Sequence, residues 1–130
     1  MEYYVADTHS LIWYLIDSPK ISKNANECFK EVEKGDAKLF IPAIVIAEII
    51  FILERSKVKA DLEEIFKRIE EAKNFEICSL DIEQLHCLKE QIKIPEMHDR
   101  FIVCETLSHN ARLITKDKEI KESGIVEVIW

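Results

Sequence analysis

The sequence Ile41-Pro42-Ala43-Ile44-Val45-Ile46-Ala47-Glu48-Ile49-Ile50-Phe51-Ile52-Leu53 decides how the rest of the chain can fold. It is apolar almost throughout and shorter than the ~20 residues that a membrane-spanning helix requires, so we expect a buried helix with Pro42 in its first turn. Glu48 is the single charged residue of the stretch, and burying an ionised carboxylate is costly unless it is paired or protonated. Glu48 therefore either turns to a polar edge of the helix or has a functional role.

The length and charge of the chain limit its class. With 130 residues it is long enough for one hydrophobic core but not for two, and we expect a single domain over residues 1–130. Asp7 interrupts the apolar amino-terminal run and no basic segment precedes it, so a cytoplasmic location is expected rather than secretion. A net charge of −7 argues against a general nucleic-acid binder, but not against an enzyme that gathers acids around a metal.

The four cysteines give no sign of a shared covalent or metal framework. Cys28, Cys78, Cys87 and Cys104 are far apart in the sequence, and none belongs to a C-x-x-C pair. Each lies beside apolar residues, where a cysteine usually packs as a small hydrophobic side chain. We therefore expect reduced core cysteines rather than disulfides or zinc ligands.

Short apolar runs alternate with stretches of helical periodicity along the whole chain. Alternating strands and helices form βα units, which assemble into a mainly parallel sheet covered by helices on both faces. The runs at 3–6 and 112–115 are the most apolar, so we expect them in the middle of the sheet. The five predicted strands span residues 3–6, 38–41, 75–78, 112–115 and 126–129.

Capping residues mark where the predicted helices begin and end. Thr8 and Ser22 are expected to cap the first two helices, and Gly35 to end the second. Asp81 is expected to open a later helix, and a further helix is predicted over residues 99–108.

Three acids occupy positions where a ligand site is expected. Asp7 directly follows the first strand, Asp117 follows the strand at 112–115 by one residue, and Asp99 begins a helix. In parallel α/β sheets, ligands gather beyond the carboxyl ends of the strands. Taken one at a time, Asp7 and Asp117 are equally well explained as turn acids and Asp99 as a helix N-cap.

Together with Glu48, these acids indicate metal chemistry. Four converging carboxylates repel one another unless divalent cations neutralise them. Because no histidine or cysteine accompanies them, Mg²⁺ or Mn²⁺ is the expected cofactor. A cation held in this way activates water and stabilises the leaving oxygen of a phosphoryl displacement, which indicates hydrolysis of a phosphodiester.

The order and spacing of four motifs resemble the PIN domain family, and within it the VapC toxins of toxin–antitoxin modules. The motifs are Asp7-Thr8-His9, the Glu48 helix, residues 98–103 and residues 113–117. No single motif is specific, because an aspartate after a strand is common. The order and spacing of all four motifs together are specific to this family. The resemblance covers the chain from Tyr3 to the last strand.

The resemblance implies a three-layer α/β/α sandwich with a mainly parallel, five-stranded sheet, and a metal-dependent endoribonuclease. It also implies a homodimer that is held inactive by a small antitoxin protein. The resemblance assigns catalysis and metal binding to Asp7, Glu48, Asp99 and Asp117, with Thr8 and Thr115 supporting them. Glu48 lies ~9 Å along its helix from Pro42, so it cannot be level with the ends of the strands if the helix packs closely back on the sheet. Either the helix leans across the site or Glu48 acts through water.

Basic and polar residues near these motifs are candidates for contact with RNA. His9 could touch the substrate or fix Asp7, or simply pack against its neighbours. Arg55, Lys57 and Lys116 are expected to form a basic rim, unless they belong to an ordinary solvated turn.

Several other side chains have both a functional and a structural interpretation. Trp13 and Tyr14 could stack bases, but their apolar neighbours favour the core or a dimer interface. His98 could contact substrate because it precedes an acid of the cluster. Arg100 is expected to have a structural role by pairing with a nearby acid, unless it contacts phosphate. His109 is expected on the surface or on a helix face.

Two other classes of protein remain open at this stage. One is a PIN-fold RNA-binding or regulatory module without turnover. The other is a different phosphate-handling α/β enzyme, such as a haloacid-dehalogenase-like phosphatase or a receiver domain. Those phosphatases usually carry a second aspartate two residues after the first, where this chain has His9. Receivers pair acids near the first strand with one after a later strand, and residues 2–7 do not follow that pattern well.

Overall fold

A computed structural model describes residues 1–56 and 60–130 of the chain. Its centre is a parallel sheet in the order β3-β2-β1-β4-β5. The strands are β1 (Glu2–Ala6), β2 (Ala37–Pro42), β3 (Phe75–Cys78), β4 (Arg112–Ile114) and β5 (Val128–Ile129). The first predicted strand is thus the central one and the strand at 112–114 is its neighbour, as the apolar character of both predicts.

Helices cover the sheet on both faces, which confirms the predicted three-layer α/β/α fold. The side chains of Tyr4 and Phe40 show the two faces. On one face, the Tyr4 hydroxyl donates to Glu31 of the second helix at 2.9 Å. On the other face, the ring of Phe40 stacks on His109, the residue that follows the sixth helix. The helices of the described chain are α1 (Thr8–Leu15), α2 (Lys23–Lys34), α3 (Ala43–Arg55), α4 (Leu62–Glu71), α5 (Ile82–Glu90), α6 (Met97–Ser108) and α7 (Lys118–Ser123).

The direction of the connections explains why the helices lie on both faces of the sheet. The chain moves from β1 to β2 to β3 toward one edge, and then returns across the sheet to β4. Parallel connections are almost always right-handed, so helices on the outward and return paths cover opposite faces. α6 contacts β1, β2 and β4 on the return path, and it brings its first turn to the carboxyl ends of the central strands.

The apolar stretch at 41–53 forms the end of β2 and most of α3, with Pro42 immediately before the helix. Val45 and Ile49, one helical turn apart, are completely buried, whereas Phe51 is 54% exposed. The expectation of a buried helix is therefore correct for one face only. Within the described part of the chain, no helix is both long enough and apolar enough to cross a membrane.

One capping prediction is wrong, the alternative of Asp99 as an N-cap is excluded, and both findings concern the candidate site. Asp7, not Thr8, caps α1 by accepting from the backbone N–H of Ser10. Glu96, not Asp99, caps α6, which begins two residues earlier than predicted. The caps at Ser22, Gly35 and Asp81 are confirmed. The sequence analysis also missed the short helix α7.

The prediction for the cysteines is wrong for one pair. Cys87 in α5 and Cys104 in α6 form a disulfide, with their Cα atoms 5.9 Å apart. The two helices pack against each other, which brings together residues that are separated by 17 positions in the sequence. Cys28 and Cys78 are free thiols, the first buried and the second half-buried.

Candidate active site

Two of the predicted acids lie at the carboxyl edge of the sheet. Asp7 follows β1 directly, and its backbone N–H donates to the carbonyl of Ile114, the last residue of β4, at 3.2 Å. Asp117 lies three residues beyond Ile114 and caps α7. Since β1 and β4 are parallel neighbours, their ends bring both acids to the same edge.

A buried threonine connects Asp7 to Asp117. The Thr115 hydroxyl donates to Asp7 Oδ2 and accepts from the backbone N–H of Asp117 at 3.1 Å. The other oxygen of Asp7 accepts from the Ser10 N–H at 3.0 Å. The hydroxyl of Ser10 donates to the Ile114 carbonyl, so it ties the start of α1 to the end of β4. Both carboxylates are thus held in fixed orientations.

Glu48 reaches the same region from α3. The buried Thr8 hydroxyl donates to Glu48 Oε1 at 2.7 Å. α3 packs against both α1 and α6, the helices that carry Thr8 and Asp99, so Glu48 lies beside the elements that carry the other acids. The lone acid of the apolar stretch therefore turns to a polar edge of its helix, where it is half-buried beside the other acids.

Asp99 shows that the four acids lie close enough to affect one another. Burial is the largest cause that raises the pKa of Asp99 to about 7, and the negative charges of Glu96, Asp117, Asp7 and Glu48 add to it. Glu96 supplies the cap of α6, so the carboxylate of Asp99 is not needed for that purpose. An acid whose pKa is raised by burial together with neighbouring charges is typical of a functional cluster.

Glu96 is a fifth acid at the site, and the sequence analysis missed it. Its two oxygens contact the Asp99 N–H and His98 Nδ1. Although burial opposes the change, these hydrogen bonds lower the pKa of Glu96. The hydrogen bond to Glu96, with the charge of Glu48 nearby, raises the pKa of His98. Glutamate is an uncommon N-cap, so no capping signal identified it.

The donor set fits a hard divalent cation better than a soft one. Around Asp99 the ligand atoms are carboxylate oxygens, which suit Mg²⁺ or Mn²⁺. In the described part of the chain, however, the three metal-ligand atoms that lie within 4.8 Å of one another belong to Cys78, Glu105 and His109, not to these acids.

The candidate substrate contacts lie on two sides of the acids. Lys116 Nζ lies 5.9 Å from the ring centre of Trp13, and the exposed His9 lies 5.8 Å from the same ring. Arg55 lines a cavity together with Glu48 and other residues of α3. Lys57 lies outside the described residues.

Two other expectations change with the structure, and a third is confirmed. Arg100 donates to the carbonyl of Ile94 and so has a structural role through the backbone, not the predicted pairing with an acid. His109 is half-buried rather than on the surface, because it stacks on Phe40. Tyr14 is buried against Phe29 and therefore belongs to the core, one of the two places the sequence analysis favoured for it.

The raised pKa of Asp99 predicts how the stability of the metal-free protein depends on pH. The native state keeps the Asp99 proton up to about pH 7, whereas an unfolded chain loses it near pH 4. The native state thus binds more protons between these values, so this contribution to the free energy of unfolding falls as the pH rises from about 4 to about 7. Asp99→Asn should remove this fall in the free energy of unfolding. Above about pH 7 the variant should be at least as stable as the wild type.

Urea unfolding of chelator-treated protein across this pH range measures the effect. Asp61→Asn is the matched control, because Asp61 is an exposed N-cap of α4 outside the cluster and asparagine caps equally well. The control should keep the wild-type slope. If Asp99→Asn were less stable than the wild type above about pH 7, the explanation by repulsion between the acids would be contradicted.

Comparison with known proteins supports the fold on independent grounds. Residues 4–125 match the PIN domain. A search of curated protein sequences found no match. A structure of VapBC2 from Rickettsia felis, bound to a DNA fragment from its promoter, has a TM-score of 0.75 at 17% identity over 98% of this chain and 97% of that one.

Two further structures share the fold. A toxin–antitoxin complex from Klebsiella pneumoniae has a TM-score of 0.66 at 16% identity, over 98% of this chain and 96% of that one. The PIN domain endonuclease Utp24 has a TM-score of 0.50 at 20% identity, over 92% of this chain and 74% of that one. The family match spans most of the sequence and the fold agrees with it, so this chain belongs to the PIN domain family.

Proposed function

We propose that this chain is a metal-dependent endoribonuclease that hydrolyses RNA phosphodiester bonds, and that it is the toxin of a toxin–antitoxin pair. The observation that carries the proposal is the arrangement of the acids: Thr115 connects Asp7 to Asp117 at the carboxyl edge of the sheet, and Thr8, next to Asp7, holds Glu48. Burial, with the charges of the neighbouring acids, raises the pKa of Asp99 in agreement with this arrangement. Membership of the PIN family and the fold shared with a toxin–antitoxin complex support it. The test is cleavage of a labelled single-stranded RNA that stops on chelation and resumes with Mn²⁺.

The four acids are the residues that would hold Mg²⁺ or Mn²⁺. When bound, such a cation supplies a water of lowered pKa and stabilises negative charge on the leaving oxygen. Asp99 would become fully ionised there, since a positive charge offsets the repulsion that raises its pKa.

The hydroxyl groups around the acids fix where the carboxylates point. Thr115 restrains Asp7, and Thr8 restrains Glu48. Both threonines are buried, so the restraints are protected from water. Such preorganisation reduces the rearrangement that the site needs when substrate binds. We infer that Thr8 and Thr115 position the acids and take no direct part in the reaction.

Lys116 and Arg55 are the proposed contacts to the phosphate backbone, with His9 and Trp13 beside Lys116. The net charge of −7 would repel RNA, so local cations near the acids are needed to bring it in. Lys57 is also a proposed phosphate contact, on the basis of the sequence alone.

Lys116→Ala should weaken RNA binding and leave the chemical step intact. Loss of one phosphate contact reduces the slope of log affinity against log salt by about 0.7 for a single strand. Fluorescence anisotropy across a salt series measures the slope, and cleavage at saturating RNA measures the chemical step. Lys30→Ala, on the exposed side of α2, is the control and should change neither. A lower cleavage rate at saturating RNA would place Lys116 in the chemistry instead.

The proposed partners are a small antitoxin protein and a second copy of the chain. The sequence argument for the dimer relied partly on the helix at 11–15, but the structure buries that helix within the chain. Apolar side chains that remain exposed offer a surface instead. They include Phe51, Ile77, Leu80, Ile82, Leu85, Ile92, Met97 and Leu107.

Light scattering should give twice the chain mass of 15.2 kDa at micromolar concentration, without antitoxin. An exposed apolar surface of this kind favours association, since its burial removes it from water. A mass that stays at that of one chain over the whole concentration range would rule out the homodimer.

A further inference from the structure

A second group of side chains lies away from the acids, between the end of β3 and the end of α6. Cys78 is the last residue of β3, and Glu105 and His109 are one turn apart in the closing turn of α6 and its cap. Residues four apart on a helix project from the same face, so one turn can present two ligands to one point. Cys78 supplies the third from the edge of the sheet.

The donor atoms of these residues are already gathered. His109 Nε2 lies 2.9 Å from Glu105 Oε1 and 3.7 Å from Cys78 Sγ. All three ligand atoms lie within 4.8 Å of one another. Zinc binds sulfur at about 2.3 Å and nitrogen or oxygen at about 2.0–2.2 Å, so donors around one tetrahedral ion lie at separations of this size. The His109 ring stacks on Phe40, which fixes the orientation of the ring and keeps Nε2 directed at the other two donor atoms.

Burial without full pairing is the second observation that points to a ligand. Glu105 is only 3% exposed, and its Oε2 has no hydrogen-bond partner among the described residues. Gln84, which is 8% exposed, has an equally unpartnered Oε1 and lines the same cavity as the three donors. A buried carboxylate oxygen without a partner is costly, and a bound cation would remove that cost.

We propose that Cys78, Glu105 and His109 bind a zinc ion, with the fourth position open to the cavity that Gln84 lines. One thiolate, one imidazole and one carboxylate form a borderline-soft donor set that suits Zn²⁺ and not Mg²⁺. Binding displaces the Cys78 thiol proton to solvent. Gln84 lines the same cavity, and its unpartnered Oε1 is available to accept a hydrogen bond from a water there.

The zinc site is separate from the acid cluster. Glu105 lies six residues after Asp99 in the same helix, which corresponds to about 9 Å along its axis. Zinc at the second site would tie the edge strand β3 to the end of α6. The two sites therefore differ in both position and metal preference, and each can be tested without the other.

Cobalt titration of the metal-depleted protein tests the proposal. Co²⁺ bound at this site is expected to produce a thiolate-to-cobalt charge-transfer band, which Zn²⁺ then abolishes. Cobalt held by the acid cluster has no thiolate ligand and adds nothing to that band. Cys78→Ser should lose the band. Cys28→Ser, which changes the other free thiol, should retain it. Asp99→Asn should also retain it, so a failure of the nuclease proposal would leave this result unaffected.

A measurement on the unaltered chain covers the case in which Cys78→Ser does not fold. Without reductant, so that the Cys87–Cys104 disulfide stays intact, Zn²⁺ should protect Cys78 from alkylation by iodoacetamide and Mg²⁺ should not. Peptide mass spectrometry reads the modification. No charge-transfer band in the wild type, an unchanged band in Cys78→Ser, or equal alkylation with and without Zn²⁺ would each overturn the site.

Discussion

Replacing Asp99 by asparagine is expected to slow RNA hydrolysis at least about 100-fold. Metal ions supply several kcal/mol of transition-state stabilisation, and each 1.36 kcal/mol corresponds to a factor of ten in rate. Asparagine keeps the size of the side chain but removes the charge that would hold the cation. Because Glu96 and not Asp99 caps α6, the substitution should leave the helix intact. The rate is measured on a labelled single-stranded RNA with excess Mn²⁺.

Two comparisons make this result specific. Asp61→Asn changes an acid outside the cluster and should cut as fast as the wild type. Asp7→Asn should lose activity to the same degree, while asparagine keeps the cap of α1. Groups that act as one unit are not additive, so the double variant should be little slower than either single one. Wild-type cleavage by Asp99→Asn would mean that the activity comes from another site or a contaminant.

Replacing Ile49 by alanine is expected to lower the free energy of unfolding by about 2–5 kcal/mol. Ile49 is completely buried in the face of α3 that packs on the core. Truncation removes apolar contacts and leaves a cavity that the surrounding side chains fill only in part. The measurement is urea unfolding followed by circular dichroism, with the midpoint and slope compared between variants.

The matched control is Phe51→Ala in the same helix. Phe51 is 54% exposed, so its loss should change stability much less than that of Ile49, although the side chain is larger. Ile46 is half-buried, and alanine there should have an intermediate effect. Equal losses at Ile49 and Phe51 would contradict the orientation of α3 and, with it, the position of Glu48.

Most of the fold could be predicted because its signals are local. The four residues of β3 coincide with the predicted strand. The last strand is shorter than predicted, since Val128–Ile129 alone pairs with β4. Asp117 was read only as a site acid, so its second role as the cap of α7 was missed together with that helix.

The candidate acids could be proposed from the sequence because each follows a strand, interrupts an apolar run or begins a helix. Asp7 and Asp117 have the first signal, Glu48 the second and Asp99 the third. Glu96 has none, because it joins the cluster through α6 and not through any sequence motif. Glu105 likewise looks like an ordinary helix acid in sequence. Its burial beside Cys78 depends on how α6 lies across the sheet, which a single sequence does not reveal.

The dependence of RNA cleavage on a divalent cation tests the central claim most directly. The wild-type chain, purified without antitoxin, is incubated with labelled single-stranded RNA after chelation and then with increasing Mn²⁺ or Mg²⁺. Under the proposed function the acids around Asp99 would need a cation to hold and activate water, so we predict no cleavage after chelation and full recovery with either Mn²⁺ or Mg²⁺. Cleavage that continues at the same rate in excess chelator would contradict the account.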